Sequence, residues 1–269
     1  MRDKVSGVIV GIDGSQAAIH AAEWAVEEAF SRGVPLLLLA IIKTIHPSPE
    51  DYHRDVEQAK TSLRAARVAV EATGRPVKVE TEILRGQPAA ILVSESDDAE
   101  MVCVGSVGIG RYARSLLGST ATEVAEKSHC PVTVIRSRPD QPRPDINWIV
   151  VAVDDAPDSD IVVDQALREA QQRKLPVLAI GTTPEDTANA RPRTLDDRLQ
   201  PWRRWYPDVH IYGVTTGANV ASFIEDNDDW VPLAVIGGAD AGQLAQIVGP
   251  HDHRVFRHAE SSVLIVREE

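Results

Sequence analysis

The stretch 104–135 carries the residue types and spacing best suited to chemistry. An apolar run gives way to glycines at 105, 108, 110 and 118, and Gly118-Ser119-Thr120 stands where a helix is expected to begin. Free N–H groups and the positive dipole end of a helix start favour an anion, and glycine lets a phosphate approach the backbone closely. The pattern indicates a phosphate-binding loop, with an ordinary Gly-Ser-Thr helix cap as the alternative. Gly110 has no assigned role.

A carboxylate, Asp13, closes the first apolar run, VSGVIVGID at 5–13. We interpret it as a partner for a ribose, a base or a metal, and the alternative is a turn and cap formed by Asp13-Gly14-Ser15. Neither a Walker phosphate loop nor a GxGxxG fingerprint after the first strand occurs in the sequence.

The surrounding elements must bring these residues to one edge of a sheet. The pattern predicts strands at 5–13, 35–42, 77–84, 100–106 and 131–136, and helices near 16–32, 50–73, 88–98 and 119–129. Alternating strands and helices with V/I/L-rich strands indicate an α/β fold with a parallel sheet covered on both faces. The alternation in 77–84 favours an edge strand with one wet face. In such sheets ligands bind outside the carboxyl ends of the strands, which is where Asp13, Ile41 and Gly105 are expected.

The whole pattern occurs twice. NWIVVAVDD at 147–155 resembles 5–13, and the helical segment 161–176 resembles 20–35 at a constant shift of 141 residues. We therefore predict an N-terminal domain at 1–137, a Pro-rich linker at 138–146 and a C-terminal domain at 147–269.

Composition narrows the function classes. The chain has 269 residues and a net charge of −12, which argues against binding to nucleic acid or an anionic membrane surface. Its apolar runs are too short to span a bilayer, and no signal peptide is visible. The two cysteines, Cys103 and Cys130, are expected to be small buried apolar residues in a reducing cytosol. We expect a soluble, cytoplasmic protein.

The first half resembles the universal stress proteins, whose ATP-binding subclass carries G-x2-G-x9-G-[ST] after strand 4. This chain has Gly105, Gly108 and Gly118-Ser119 at that spacing, VGIDGS around Asp13 and the terminal strand CPVTVIR. The resemblance covers the chain as a tandem pair, close to mycobacterial and related actinobacterial members.

The resemblance implies two tandem Rossmann-like (adenine nucleotide alpha hydrolase-like) domains, each a five-stranded parallel sheet of order 3-2-1-4-5. It implies that the adenosine of ATP contacts Asp13 and Ile41, and that its phosphates contact Gly118, Ser119 and Thr120. Val104, Gly105 and Gly108 would line the entry for the ribose and phosphates. The nucleotide-binding residues expected are Gly11, Ile12, Asp13, Ile41, Val104, Gly105, Gly108, Arg111, Gly118, Ser119 and Thr120. Arg111 and Arg114 suit phosphate neutralisation, with a solvated loop as the alternative.

The second copy departs from this motif. Its loop reads GGADAGQLAQIVGPHDH at 237–253, with Asp240 in place of the second glycine and Pro250 after Gly249. A carboxylate repels phosphate and proline removes an N–H donor, so we expect weak or absent ATP binding there despite Asp154. His251-Asp252-His253 lacks the third converging ligand of a metal site. The i,i+3 pair Trp202 and Trp205 is expected to pack in the core.

The function predicted is an ATP-binding regulator of a stress or dormancy response. AMP and cyclic AMP stay open as ligands and Mg²⁺ as a companion ion. Slow ATP hydrolysis and a nucleotide-free scaffold are the rival functions. Against hydrolysis, no motif supplies a general base beside a γ-phosphate. The apolar strands VTVIR and VLIVR predict self-association through the strand-5 edges, or pairing of the two domains, since exposed edges need covering. The regulatory partner stays unknown.

Overall fold

The chain folds into two compact units that divide between residues 139 and 140. A computed structural model describes residues 6–108, 117–136, 147–154, 158–182, 194–216, 220–227, 231–248 and 261–267. We call the unit before the division unit 1 and the one after it unit 2. The linker predicted at 138–146 lies outside the described residues.

Unit 1 is a parallel α/β sheet with helices between its strands. Its elements are β1 (Val8–Gly11), α1 (Gln16–Arg32), β2 (Leu36–Ile42), α2 (Pro49–Ala72), β3 (Val79–Arg85), α3 (Pro88–Glu95), β4 (Met101–Gly105), α4 (Ser119–Lys127) and β5 (Val132–Ile135). The strand order is β3-β2-β1-β4-β5, with every pair parallel. The predicted fold class and strand order are confirmed.

Local chemistry fixes where the helices of unit 1 begin and end. The Ser15 hydroxyl accepts the Ala18 N–H at the start of α1, and the Ser48 hydroxyl accepts the Asp51 N–H at the start of α2. Gly33 closes α1 in the left-handed region, with φ 66°, where a side chain is costly. Together these signals explain why α1 was predictable from the sequence to the residue.

Unit 2 repeats this architecture. Its elements are β6 (Ile149–Val153), α5 (Ser159–Arg173), β7 (Val177–Thr182), α6 (Leu195–Trp205), β8 (Ile211–Thr216), α7 (Val220–Asn227), β9 (Leu233–Gly237), a 3₁₀ helix (Gly238–Gln243), α8 (Leu244–Val248) and β10 (Ser262–Val266). Within the unit the order is β8-β7-β6-β9-β10, again parallel. The strands of unit 2 therefore follow the same spatial order, 3-2-1-4-5 in chain order, as those of unit 1.

A buried ion pair repeats at the shift of 141 residues. Arg32 contacts the Glu28 carboxylate at 2.5 Å in α1, and Arg173 contacts Glu169 at 2.9 Å in α5. The two glutamate side chains are 0% and 1% exposed. A buried carboxylate is tolerated only when it is paired, so the pair is part of the fold's common core.

Three local expectations need correction. Trp202 is buried as predicted, but Trp205 is 69% exposed and meets the Trp202 ring only edge-on, so core packing was wrong for Trp205. The β3 strand lies at the edge of the sheet of unit 1, but its two faces are partly buried alike, without one clearly wet face. Residues 238–248, read as a loop, are helical.

Candidate functional site

A cavity of about 340 Å³ opens at the carboxyl ends of β1, β2 and β4 in unit 1. Ten of the eleven predicted nucleotide-binding residues line it: Gly11, Ile12, Asp13, Ile41, Val104, Gly105, Gly108, Gly118, Ser119 and Thr120. Arg111, the eleventh, lies outside the described residues, as does Arg114. The structure therefore gathers residues from four separate stretches of the sequence around one space.

Seven lining residues were not singled out from the sequence: Ser15, Ala18, Leu39, Pro88, Leu92, Val107 and Ala121. Four of them lie within two positions of a predicted residue, and Ala18 lies in the first turn of α1. Pro88 and Leu92 are different, because they come from α3 and reach the cavity only through the fold. Pro88 stands in the first turn of α3 and Leu92 is 2% exposed, so the sequence marks them only as a helix start and a core position.

The turn after β1 holds Asp13 in a defined orientation. Gly14 takes a positive φ of 90°, and the Ser15 N–H donates to one carboxylate oxygen of Asp13 at 2.9 Å. The other carboxylate oxygen lies 2.6 Å from where a Cβ on Gly108 would stand. The missing side chain of Gly108 thus makes room for the Asp13 carboxylate beside the loop that follows β4.

The other two motif glycines have different surroundings. A Cβ on Gly105 would lie 2.7 Å from the carbonyl carbon of Ala17 and 2.8 Å from the Ala18 nitrogen, both backbone atoms of α1. At Gly118 the nearest atom to such a Cβ is the Ser106 carbonyl oxygen, at 3.4 Å. Gly105 lines the cavity, but its residue type is set by the close packing of α1 over β4, whereas Gly118 has room for a methyl group.

The amino end of α4 forms the polar end of the cavity. Gly118 is its N-cap residue and supplies no side-chain cap, and the first turn carries no acidic residue. The Gly118 carbonyl accepts the Thr122 N–H at 3.0 Å, so the intrahelical ladder begins at Thr122. The N–H groups of the three preceding residues have no acceptor within the helix, and they add to the positive dipole end. The arrangement suits an anion.

The end of β2 presents a backbone edge to the cavity. The Leu39 carbonyl accepts the Ile12 N–H on the β1 side, at 2.8 Å, and the Ile42 carbonyl accepts the Gly86 N–H on the β3 side, at 2.9 Å. Because backbone groups of successive strand residues point to opposite neighbours, the N–H and C=O of Ile41 point to the β1 side. β1 ends at Gly11, which pairs with Leu39, so both groups of Ile41 face the open space beyond that strand.

Apolar side chains surround this backbone edge. Leu39, Ile41, Pro88, Leu92 and Val104 line the cavity, and Asp13 is the one charged side chain among its described lining residues. The cavity accordingly combines apolar side chains, the backbone N–H and C=O of Ile41, a helix amino end of the kind that suits an anion, and one carboxylate.

The same edge of unit 2 is more acidic. Burial raises the pKa of Asp240, and the charges of Asp154 and Asp158 raise it further, while a hydrogen bond from Gln243 lowers it. Asp158 also packs against Gly237, where a Cβ would lie 2.8 Å from its carboxylate. Unit 2 thus gathers three carboxylates near the ends of β6 and β9, which disfavours an incoming phosphate.

Several predictions for unit 2 concern the segment that follows α8. Gly249, Pro250 and the sequence His251-Asp252-His253 lie outside the described residues. In the described part of the chain, no three His, Cys, Asp or Glu residues are arranged to hold a metal ion. Helices there are all too short or too polar to cross a membrane.

Known proteins share both the sequence and the fold. A profile of the universal stress protein family matches residues 6–136. A universal stress protein of Mycobacterium tuberculosis is 58% identical over 260 residues, covering 97% of this chain and 96% of its own length.

Two solved structures also match. The crystal structure of a universal stress protein from Archaeoglobus fulgidus has a TM-score of 0.67 at 17% identity, over 97% of this chain and 96% of its own. A universal stress protein solved in complex with cAMP is 24% identical, with a TM-score of 0.42, over 51% of this chain and all of its own. The extent and identity of the mycobacterial match show that this chain belongs to the universal stress protein family.

Proposed function

We propose that unit 1 binds an adenine nucleotide, ATP in the first place, and that its occupancy regulates a partner in a stress or dormancy response. One observation carries the proposal: a single cavity joins the backbone edge of Ile41 to the amino end of α4. An apolar space with a few convergent polar groups is the usual form of a small-molecule site.

The Ile41 edge favours adenine over guanine. Adenine carries a ring-nitrogen acceptor beside an exocyclic amino donor, which complements a backbone N–H beside a C=O. Guanine presents an oxygen acceptor where adenine presents the amino group, so a carbonyl would face an acceptor. A mismatched pair of this kind costs about 1–3 kcal/mol, or roughly tenfold to a hundredfold in affinity.

The phosphates would lie at the amino end of α4, where the N–H groups of Ser119 and Thr120 and their hydroxyls are available. The Asp13 carboxylate lines the same cavity beside Gly108, where a ribose hydroxyl or a Mg²⁺ ion bound to the phosphates would suit it. The number of phosphates is open in this proposal, and AMP and cyclic AMP remain alternatives to ATP.

The first test uses the protein as purified. We expect gentle purification followed by denaturation to release an adenine nucleotide, detected by chromatography. Calorimetric titration of nucleotide-free protein should then show ATP binding, with GTP at least about tenfold weaker. Absence of released nucleotide, together with no ATP binding at millimolar concentration, would refute the proposal and favour the scaffold.

Two variants and one matched control test where in the chain the site lies. Asp13→Ala should weaken ATP binding, whereas Asp154→Ala, the same change at the matching position of unit 2, should leave it unaltered. Gly118→Val should block the approach of phosphate. If ATP binds Gly118→Val as well as it binds the wild type, the placement of the phosphates at α4 is wrong.

The remaining predictions from the sequence need their own measurements. ADP that accumulates during incubation with ATP, and fails to accumulate with Asp13→Ala, would add slow hydrolysis to the binding function. Self-association through the strand-5 edges is checked by light scattering on the full chain at several concentrations. Cytoplasmic localisation is checked by cell fractionation.

A further inference from the structure

Ser15 contacts the turn after β1 and a residue just after β4, and both of these stretches line the cavity. Its hydroxyl accepts the Ala18 N–H at 3.2 Å and donates to the Val107 carbonyl at 3.4 Å, and its own N–H donates to Asp13 at 2.9 Å. A cap needs only the first of these bonds. The bond to Val107 links the turn after β1 to a residue 92 positions later in the chain.

The Val107 carbonyl controls the direction of the next N–H group. The described peptide bonds are all trans, and in a trans peptide the C=O and the N–H point in opposite directions. If Ser15 holds the Val107 carbonyl toward α1, the Gly108 N–H must point away from α1. The Gly108 nitrogen lies 3.9 Å from where a Cβ on Gly118 would stand, so it borders the amino end of α4.

Hydrogen bonds also fix Ser106, the residue that precedes Val107. The Ser106 N–H donates to the Ile135 carbonyl at 2.8 Å, and the Ser106 carbonyl accepts the Gly118 N–H at 2.8 Å. With Ser106 held by β5 and Gly118, the peptide between Val107 and Gly108 is the next one along the loop. The side chain of Ser15 is the group that contacts the oxygen of that peptide.

We propose that Ser15 is a positioning residue that turns the Gly108 N–H toward the phosphates of a nucleotide bound at α4. The inference rests on the proposed nucleotide site and adds a residue that acts through the backbone of another. Removing the Ser15 hydroxyl should therefore weaken contacts to the phosphates and not those to the nucleoside. The backbone N–H of Ser15, which donates to Asp13, remains in Ser15→Ala.

The test compares Ser15→Ala with a matched cap variant, Ser48→Ala. Both changes remove a serine that caps a helix, but Ser48 caps α2 and does not line the cavity. For Ser15→Ala we expect ATP and ADP to bind about three- to tenfold more weakly, the worth of one hydrogen bond, and adenosine to bind within about twofold of the wild type. Ser48→Ala should bind all three ligands like the wild type, and Ser15→Thr, which keeps the hydroxyl, should restore ATP binding.

A second readout needs no ligand. In amide NMR spectra of the ligand-free protein, Ser15→Ala should shift the Gly108 resonance and speed its hydrogen exchange, and Ser48→Ala should do neither. An equal loss of affinity for adenosine and ATP, or an unchanged Gly108 amide, would overturn the role of Ser15. If the wild type binds no nucleotide while the Gly108 amide responds to Ser15→Ala, the proposed function is wrong and the positioning of Gly108 by Ser15 is supported.

Discussion

Alanine at two glycines of the same motif should separate stability from binding. A Cβ on Gly105 would lie 2.7 Å from backbone atoms of α1, whereas a Cβ on Gly108 would lie 2.6 Å from a carboxylate oxygen at the end of the Asp13 side chain. The intrusions are almost equal in size. Their consequences differ because backbone in a packed helix yields far less easily than the end of a side chain.

The distances set the magnitudes. Ordinary van der Waals contact begins near 3.5 Å, so each methyl group needs its neighbour to retreat by about 0.8–0.9 Å. For Gly105→Ala this means moving α1 away from β4, and overpacking of this kind costs about 1–3 kcal/mol of unfolding free energy. For Gly108→Ala the carboxylate rotates away, which loses the bond from the Ser15 N–H and the placement of Asp13 in the cavity. The unfolding free energy of Gly108→Ala should stay within about 1 kcal/mol of the wild type, because the bond between the Ser15 N–H and Asp13 is exposed.

Two assays on the same samples check this. Urea unfolding followed by circular dichroism should show a lower midpoint for Gly105→Ala and little change for Gly108→Ala. Calorimetry should show ATP binding about tenfold or more weaker for Gly108→Ala, because a charged hydrogen-bonding group is displaced. A Gly105→Ala variant as stable as the wild type would refute the packing argument. Unchanged ATP affinity in Gly108→Ala would refute the role given to the Asp13 carboxylate.

Two further predictions concern stability. Arg32→Ala in unit 1 and Arg173→Ala in unit 2 each leave a buried glutamate without its arginine. Each change should lower the unfolding free energy measured in urea by about 3 kcal/mol. A decrease below about 1 kcal/mol for both variants would show that the ion pair contributes little. Burial and two neighbouring carboxylates raise the folded-state pKa of Asp240 above its unfolded value, so the folded state holds more protons between those two values. Stability should therefore fall as pH rises through that window and level off above it. Asp240→Asn should flatten this part of the pH profile, and an unchanged profile would contradict the assignment.

The sequence predicted the elements well because their signals are local. A serine cap and a left-handed glycine mark the two ends of α1, and apolar runs mark the strands. None of these signals depends on how the elements pack. Trp205 shows the limit of that reasoning. Spacing of i,i+3 places two tryptophans on one side of a helix, but it does not show how many of them neighbouring elements bury. In the structure Trp202 is buried and Trp205 is exposed.

The candidate site was predictable where the chain delivers residues directly at strand ends, as with Asp13 and Gly108. It was not predictable where contact depends on how a helix lies across the sheet. Pro88 and Leu92 enter the cavity because α3 lies beside the ends of β1 and β2, and nothing in their spacing marks a ligand. All three motif glycines were predicted to contact the nucleotide, and only the position of α1 in the structure shows that packing sets the residue type at Gly105.

The two units of the chain provide an internal comparison of those glycines. Gly105 has its counterpart in Gly237, where a Cβ would meet the Asp158 carboxylate at 2.8 Å and not the backbone of a helix. Gly108 has its counterpart in Asp240, so the fold accepts a side chain there. Both units thus keep glycine at the end of the fourth strand, but only unit 1 keeps it three residues later. Because unit 2 keeps the sheet order and the buried ion pair without Gly108, the fold itself does not require glycine at that position. The requirement in unit 1 is left to the carboxylate of Asp13 and to the nucleotide we propose beside it.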